Sequence, residues 1–441
     1  MSARWKGAPL ALLVALIVTV FAHVPSARAE RMPPEQVLQT WYRLVLELVR
    51  HTPNYSPPVA SRSFAYLGVT AYESVAGEHT RLVSLQGQLN DLKDLPSREA
   101  GAVYDDAIVL NAAMTVATRE LFNRTGPTGQ HAFSRMSEKM HATVTDGMPA
   151  DVVRRSADFG TAMATAILKW SQGDGGAVVE NMGFPLEYTL KAGPGRWVPT
   201  SLIRQQQVPL LPDWGKNRPF AMPEGSSCRL PAPPEYSEDK ASVFYREAVE
   251  VHDVVKGLTK EQKAIARFWS DDPMLSPTPP GHWVSIGWEV LEADRADLAT
   301  TVDVMARLGV AVADAFIGCW DTKFEFNLVR PVSYIKKTMD PKWEPLLITP
   351  PFPEYPSGHS TQSGAAAVVL ASLFGEKKTF TDSTHEADGL APRTYGSFWE
   401  AAEEAALSRL YGGIHFRSAI ERGLEQGKCV GAHVVALKTR M

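Results

Sequence analysis

Apolar residues recur at helical spacing along most of this chain, and no run alternates apolar and polar residues in the manner of a half-buried strand. Trp41, Leu44, Val45 and Leu48 share one face of a helix over 35–50. The same spacing predicts helices over 59–77, 100–122 and 151–170, the last closed by Gly173-Asp174-Gly175. It resumes over 240–257, 260–270, 283–300, 311–330, 358–375 and 397–410, with a final helix from about 415 to the end. The expected fold class is all-α, built as helical bundles.

Residues 174–236 interrupt this pattern with ten prolines. Phe184, Tyr188, Trp197, Trp214 and Phe220 lie in the same span. So many aromatic residues argue against a disordered linker. The expectation is an ordered, proline-rich wrap, with residues 30–441 forming a single domain.

Arg4 and Lys6 precede an apolar run from Ala8 to Ala22, and Ala27-Arg28-Ala29 supplies a small-x-small cleavage pattern. The run is shorter than the roughly 20 residues of a membrane span. Residues 1–29 are therefore expected to be a signal peptide cleaved after Ala29. That places the chain in the periplasm or outside the cell, with no stable membrane anchor. The remainder carries 42 basic and 49 acidic side chains, a net charge of −7, which disfavours nucleic acid as a partner. Cys228, Cys319 and Cys429 allow at most one disulfide. Cys319 sits in an apolar stripe and reads as core.

Three stretches in the last third carry chemistry. Phe316, Cys319, Trp320, Lys323, Asn327 and Arg330 fall on one mostly apolar helical stripe, so both cations would face inward. Buried charge needs a partner: either an acid such as Glu325, or a bound anion. Next, the run from Pro350 to His359 (PPFPEYPSGH) makes an extended approach to a helix that Ser357 can cap. A helix start with free N–H groups suits an anion, and His359 in its first turn could move a proton. An ordinary cap with a surface histidine is the plain alternative. Third, Gly412-Gly413 breaks a helix between Arg409 and His415, so that both can aim at one point. Alone, this is equally an arginine at a helix C-terminus followed by an ordinary histidine.

Together, Lys323-x6-Arg330-Pro331, Pro356-Ser357-Gly358-His359 and Ser408-Arg409-x5-His415 resemble the three-part signature shared by vanadium haloperoxidases, class A bacterial acid phosphatases and lipid phosphatases. Each matching position has a chance of about 5% from average residue usage, so coincidence is not a serious competitor. The resemblance implies that Lys323, Arg330, Ser357, Gly358, Arg409 and His415 hold vanadate or phosphate within 316–420. His415 would be the attachment point, the vanadium ligand or the phosphoryl nucleophile, His359 the acid–base partner, and Lys323 the catalytic cation that polarises the peroxide-derived oxygen attacked by halide. Planar guanidinium groups suit such oxyanions, and a histidine titrates near neutrality.

Weaker matches extend upstream and resemble bacterial haloperoxidases. They are Thr40-Trp41-Tyr42 through Tyr72-Glu73, Trp197-Val198-Pro199 to Pro212-Asp213-Trp214-Gly215, Phe268-Trp269-Ser270-Asp271-Asp272, and Pro279-Pro280-Gly281-His282-Trp283. Trp320 and Phe352 match the apolar halide-site pattern of chloroperoxidases, where bromoperoxidases tend to have histidine at the position of Phe352; both could equally be core. Asp272 resembles the acid that pairs with the site arginine, here Arg409, with Asp271 adjacent. Phosphatases usually carry Asp four residues after the nucleophilic histidine, where this chain has Ala419; Glu421 is a displaced substitute. His252-Asp253 and His385-Glu386-x-Asp388 read as a solvated helix and a loop rather than a metal site.

The implied function is a vanadate-dependent haloperoxidase that oxidises halide with hydrogen peroxide to hypohalous acid, which then meets an organic acceptor. Phosphate would occupy the site when vanadate is absent, and a homodimer is compatible with the family. The alternatives are a secreted acid phosphatase with a phospho-His415 intermediate and a non-catalytic oxyanion-binding protein.

Overall fold

Leu298–Phe326 forms one helix of 29 residues, buried on nearly every side. Most of its residues are apolar or small, which suits a helix inside a bundle, although Asp303, Arg307, Asp314 and Lys323 are buried with them. This computed structural model describes residues 31–441 except 180–182 and 273. The expected signal peptide over 1–29 lies outside the described residues. Before the wrap come α1 (Pro34–Arg50), α2 (Pro57–Val75), α3 (Asp106–Leu121), α4 (Pro127–Thr145), α5 (Ala150–Ser171) and the single turn α6 (Gly176–Val179). After it come α7 (Val243–Lys256), α8 (Lys260–Phe268), α9 (Thr278–Asp294), α10 (Leu298–Phe326), α11 (Pro331–Thr338), α12 (Gly358–Phe374), α13 (Phe398–Tyr411) and α14 (Arg417–Val435). The class is all-α, as expected, and Met32–Met441 form one compact unit. Among the described residues, no helix is long and apolar enough to cross a membrane.

Several helices meet backbone to backbone through glycine, among them α2 with α10 and α12 with α14. A Cβ on Gly68 of α2 would lie 2.6 Å from the Met305 carbonyl oxygen of α10. A Cβ on Gly427 of α14 would lie 2.4 Å from the Thr361 carbonyl oxygen of α12. The second contact fixes the helix that follows His415 against the helix that begins at Gly358.

Several sequence expectations are corrected. The helices expected over 283–300 and 311–330 are instead α9 and α10. Arg295 turns left-handed (φ 51°) after α9, and the Asp297 side chain caps α10 by accepting from the Thr300 N–H. α10 stops at Asn327 (φ 49°), so Arg330 is not on its stripe; Arg330 is the N-cap residue of α11, and Pro331 opens that helix rather than ending one. The expected helix over 100–122 begins only at Asp106, capped by Asp105. α4 escaped notice because only Met140 and Val144 of it are buried. One short antiparallel hairpin also forms, β1 (Phe380–Asp382) with β2 (Arg393–Tyr395), pairing Phe380 with Tyr395.

The wrap is ordered where described and buries Trp197, Trp214 and Phe220. Asp314, fully buried in α10, accepts from the N–H groups of Phe220, Ala221 and Met222 at 2.6, 2.8 and 2.9 Å. The Trp197 N–H reaches the Asn327 carbonyl at 2.9 Å, and the Leu210 N–H reaches that of Pro351 at 2.8 Å. The wrap thus borders the loops that carry Arg330 and Ser357. Cys228 at its far end forms a disulfide with Cys429 of α14, while Cys319 is free and buried. That bridge is expected to contribute about 2–4 kcal/mol. Calorimetry of the Cys228→Ser, Cys429→Ser double variant should show a lower unfolding midpoint than the oxidised parent, and an unchanged midpoint contradicts this.

Candidate active site

Four chain segments converge on one buried pocket: the end of α10, the loop into α11, the start of α12, and the turn from α13 to α14. The last turn requires Gly413, whose φ of 75° is left-handed. It carries the chain from Arg409 to His415 in six residues. Lys323 and Arg330 are 0% exposed, Ser357 is 0%, Arg409 is 2% and His415 is 3%. His359 is the one histidine of the pocket with solvent access, its side chain 17% exposed.

The three cations are held by neutral oxygens. Arg330 donates from Nε to the Phe352 carbonyl and from Nη1 to that of Ile414, both at 2.9 Å. Arg409 donates from Nη2 to the Trp269 carbonyl at 2.6 Å. Lys323 Nζ donates to the carbonyls of Pro353 (3.0 Å), Glu354 (2.9 Å) and Pro356. Lys323 therefore spends its donors on folding the proline-rich loop and supplies charge from behind it. None of the three has a carboxylate within ion-pair distance among the described residues; Glu325 pairs with Arg229 instead. Burial pushes Lys323 down to about 8, and Arg330 and Arg409 each down to about 10.

His415 has a defined tautomer. A guanidinium only donates, so Arg330 Nη1, 3.1 Å from His415 Nε2, requires a lone pair on that nitrogen. The proton then sits on Nδ1, 2.8 Å from Glu354 Oε1, which also accepts the Phe416 N–H at 2.9 Å. Burial, then Arg330, Lys323 and Arg409, hold the His415 imidazole well below its usual range, which keeps it neutral. Burial pushes the Glu354 carboxyl up to about 8, against the pull of Arg330, the Phe416 N–H and Lys323. Glu354 is the residue that sequence reasoning missed. It does the orienting expected of an acid at position 419, from a different segment. Ala419 instead accepts the Ser357 N–H on its carbonyl at 3.0 Å, and Glu421 lies on the surface near Arg417.

Ser357 caps α12, accepting the Ser360 N–H at 3.3 Å. Gly358 packs over Phe316 and Trp320, 3.7 and 3.8 Å from where its Cβ would be. His359 Nε2 is 3.3 Å from Arg409 Nη1. Burial and Arg409 lower His359 to about 4, opposed by Asp271. The tentative pairing of Asp272 with Arg409 is corrected: Asp272 stays partly exposed and acts on Arg409 only at longer range. Asp271 takes the buried place, with Oδ2 3.7 Å from His359 Nε2. Phe352 lies at the pocket edge, its ring centroid 5.3 Å from Lys323 Nζ and 5.0 Å from Arg330 Cζ. Trp320 sits 4.9 Å behind it, buried, with Nε1 donating to the Leu210 carbonyl at 3.3 Å. His385, expected on a loop, is buried, whereas His252 stays beside Asp253 near the surface.

Residues 303–441 match a family described as the second helical-bundle domain of VCPO. The vanadium chloroperoxidase of Curvularia inaequalis is 29% identical over 29% of this chain, and the match spans 29% of that protein's length. A bacterial vanadium-dependent iodoperoxidase structure superposes with a TM-score of 0.83 at 36% identity, covering 93% of this chain and 99% of its own. The chain belongs to the vanadium-dependent haloperoxidase family. A bacterial vanadium-dependent chloroperoxidase structure, at 16% identity, shares the fold with a TM-score of 0.66 over 91% of this chain and 92% of its own.

Within this haloperoxidase-family pocket, the role of Glu354 is testable. Partners that orient a metal-ligating histidine are worth about 10–100-fold in affinity. Glu354→Ala should weaken vanadate binding by that order, and Glu354→Gln, which keeps an acceptor for Nδ1–H, should weaken it less. Equal affinities in a binding titration of all three proteins would contradict the assignment.

Proposed function

We propose that this chain is a vanadate-dependent haloperoxidase, oxidising halide with hydrogen peroxide to hypohalous acid while His415 holds the vanadate. One observation carries this reading: three buried cations without a carboxylate partner surround a histidine whose Nε2 carries a lone pair, to which Arg330 Nη1 donates. The fit to an oxyanion has a further support, since Arg330 Nη2 is buried and has no hydrogen-bond partner. An unsatisfied buried donor costs about 1–3 kcal/mol, and an oxyanion oxygen would satisfy it.

Arg330 and Arg409 would bind and orient the oxyanion, the Ser357 hydroxyl and Gly358 N–H would add neutral donors, and His415 Nε2 would be its attachment atom. When bound, vanadate supplies Lewis acidity toward hydrogen peroxide. His359, neutral and at the solvent edge, is placed to take a proton from peroxide at an imidazole nitrogen and return it as water forms. Phe352 excludes water where the two cations attract an anion, which favours a large, weakly hydrated halide. The likeness to the protein described as an iodoperoxidase makes iodide the first halide to test. The disulfide supports export to an oxidising compartment, in keeping with a signal peptide.

The test uses phosphate-free protein in two portions. Loaded with orthovanadate, it should oxidise iodide with hydrogen peroxide; without vanadate, it should hydrolyse phosphate esters feebly. Fast hydrolysis inhibited by vanadate, with no halide oxidation, would instead make the chain a phosphatase. His359→Ala should lower turnover by about a hundredfold or more while vanadate still binds. Unchanged turnover would remove His359 from the chemistry.

A further inference from the structure

Behind His359 lies a second buried constellation that the oxyanion chemistry does not use. Asp271 Oδ1 is 2.9 Å from His282 Nδ1 and 3.2 Å from His385 Nε2. All three ligand-type atoms lie within 4.8 Å of one another, and the side chains are 3%, 0% and 4% exposed. They come from three separate segments: the loop after α8, the first turns of α9, and the connection between β1 and β2. Only the finished fold brings them together.

The outward-facing nitrogens are also engaged. His282 Nε2 is 2.8 Å from Asp382 Oδ2, and His385 Nδ1 is 3.1 Å from Asp388 Oδ2. Each imidazole therefore has one nitrogen tied to an outer carboxylate and the other turned inward onto Asp271. Metal-ligating histidines are held in this way, with the outer carboxylate fixing the tautomer that leaves the inner lone pair free. Two of the surrounding carboxylates, Asp271 and Asp382, are buried, whereas Asp388 lies at the surface and pairs with Arg50. A cation between the buried carboxylates offsets the cost of burying their charge.

We propose that Asp271, His282 and His385 bind a divalent transition-metal ion. Two imidazole nitrogens and a carboxylate oxygen, backed by Asp382 and Asp388, are a zinc donor set. The ion would tie α9 and the hairpin connection to the loop that carries Asp271. It would also fix Asp271 Oδ2, which accepts no hydrogen bond, against the active-site histidine. The turn 386–389 that follows His385 is exposed. This site stands independently of the halide reading, because it requires neither vanadate nor turnover.

The experiment measures zinc in full-length, untagged protein by elemental analysis, after dialysis against metal-free buffer and after supplying zinc alone. The expected result is about one equivalent per chain, with a lower unfolding midpoint once a chelator removes it. His282→Ala and His385→Ala, checked for native helix content by circular dichroism, should each fall below about a tenth of an equivalent. His433→Ala, outside the cluster, should keep the full equivalent. Parent protein that holds no zinc even after supplementation would overturn the proposal, leaving both imidazoles doubly protonated between carboxylates. A folded His282→Ala, His385→Ala double variant that still holds one equivalent would overturn it too, by placing the metal elsewhere. Vanadate binding by the same samples reports separately on the oxyanion pocket.

Discussion

Lys323, Arg330 and Arg409 place three positive charges inside a helical bundle where water does not reach them. Such charges are stable only when oxygen atoms replace the lost hydration. Here the replacements are backbone carbonyls of irregular segments: Phe352, Pro353, Glu354 and Pro356 from one loop, Ile414 from the turn before α14, and Trp269 from the end of α8. Carbonyls solvate a cation without neutralising it. The pocket therefore keeps its net positive character and demands an anion, which carboxylate partners would have cancelled. The prolines around Glu354 serve this arrangement, since they have no N–H of their own and present carbonyls on a stiff backbone.

The same loop sets the chemistry of His415. Arg330 from one side and Glu354 from the other fix the proton on Nδ1, leaving Nε2 as the lone pair that faces the cations. One segment thus solvates Lys323 and Arg330, orients His415 and leads into the helix start at Ser357. The contacts of the wrap with Asn327 and Pro351, and the disulfide to α14, brace that segment from outside.

Much of this was legible in the sequence, and the failures have physical causes. The helices appeared wherever an apolar face repeats at helical spacing. The cations and histidines of the pocket stood out because charged residues broke an apolar pattern or stood next to helix-breaking glycine and proline. Arg330 was misplaced because Lys323 and Arg330 are seven residues apart, a spacing that fits one helical face even though the helix ends at Asn327. Glu354 stayed hidden because the orienting acid was sought on the helix after His415, at Ala419 or Glu421. No periodicity links a loop acid to a histidine 61 residues away; its one local mark was a lone acid in a run of prolines. Asp271 was named only as the neighbour of Asp272, and His385 was read as a loop residue rather than a ligand, since only tertiary structure joins them.

The central claim is that the caged cations and His415 together make one oxyanion site. Calorimetric titration of orthovanadate into phosphate-free protein tests it most directly. The account predicts one saturable site per chain, weakened by about tenfold or more in both His415→Ala and Arg330→Ala. Absence of saturable binding, or binding that neither substitution changes, would contradict it.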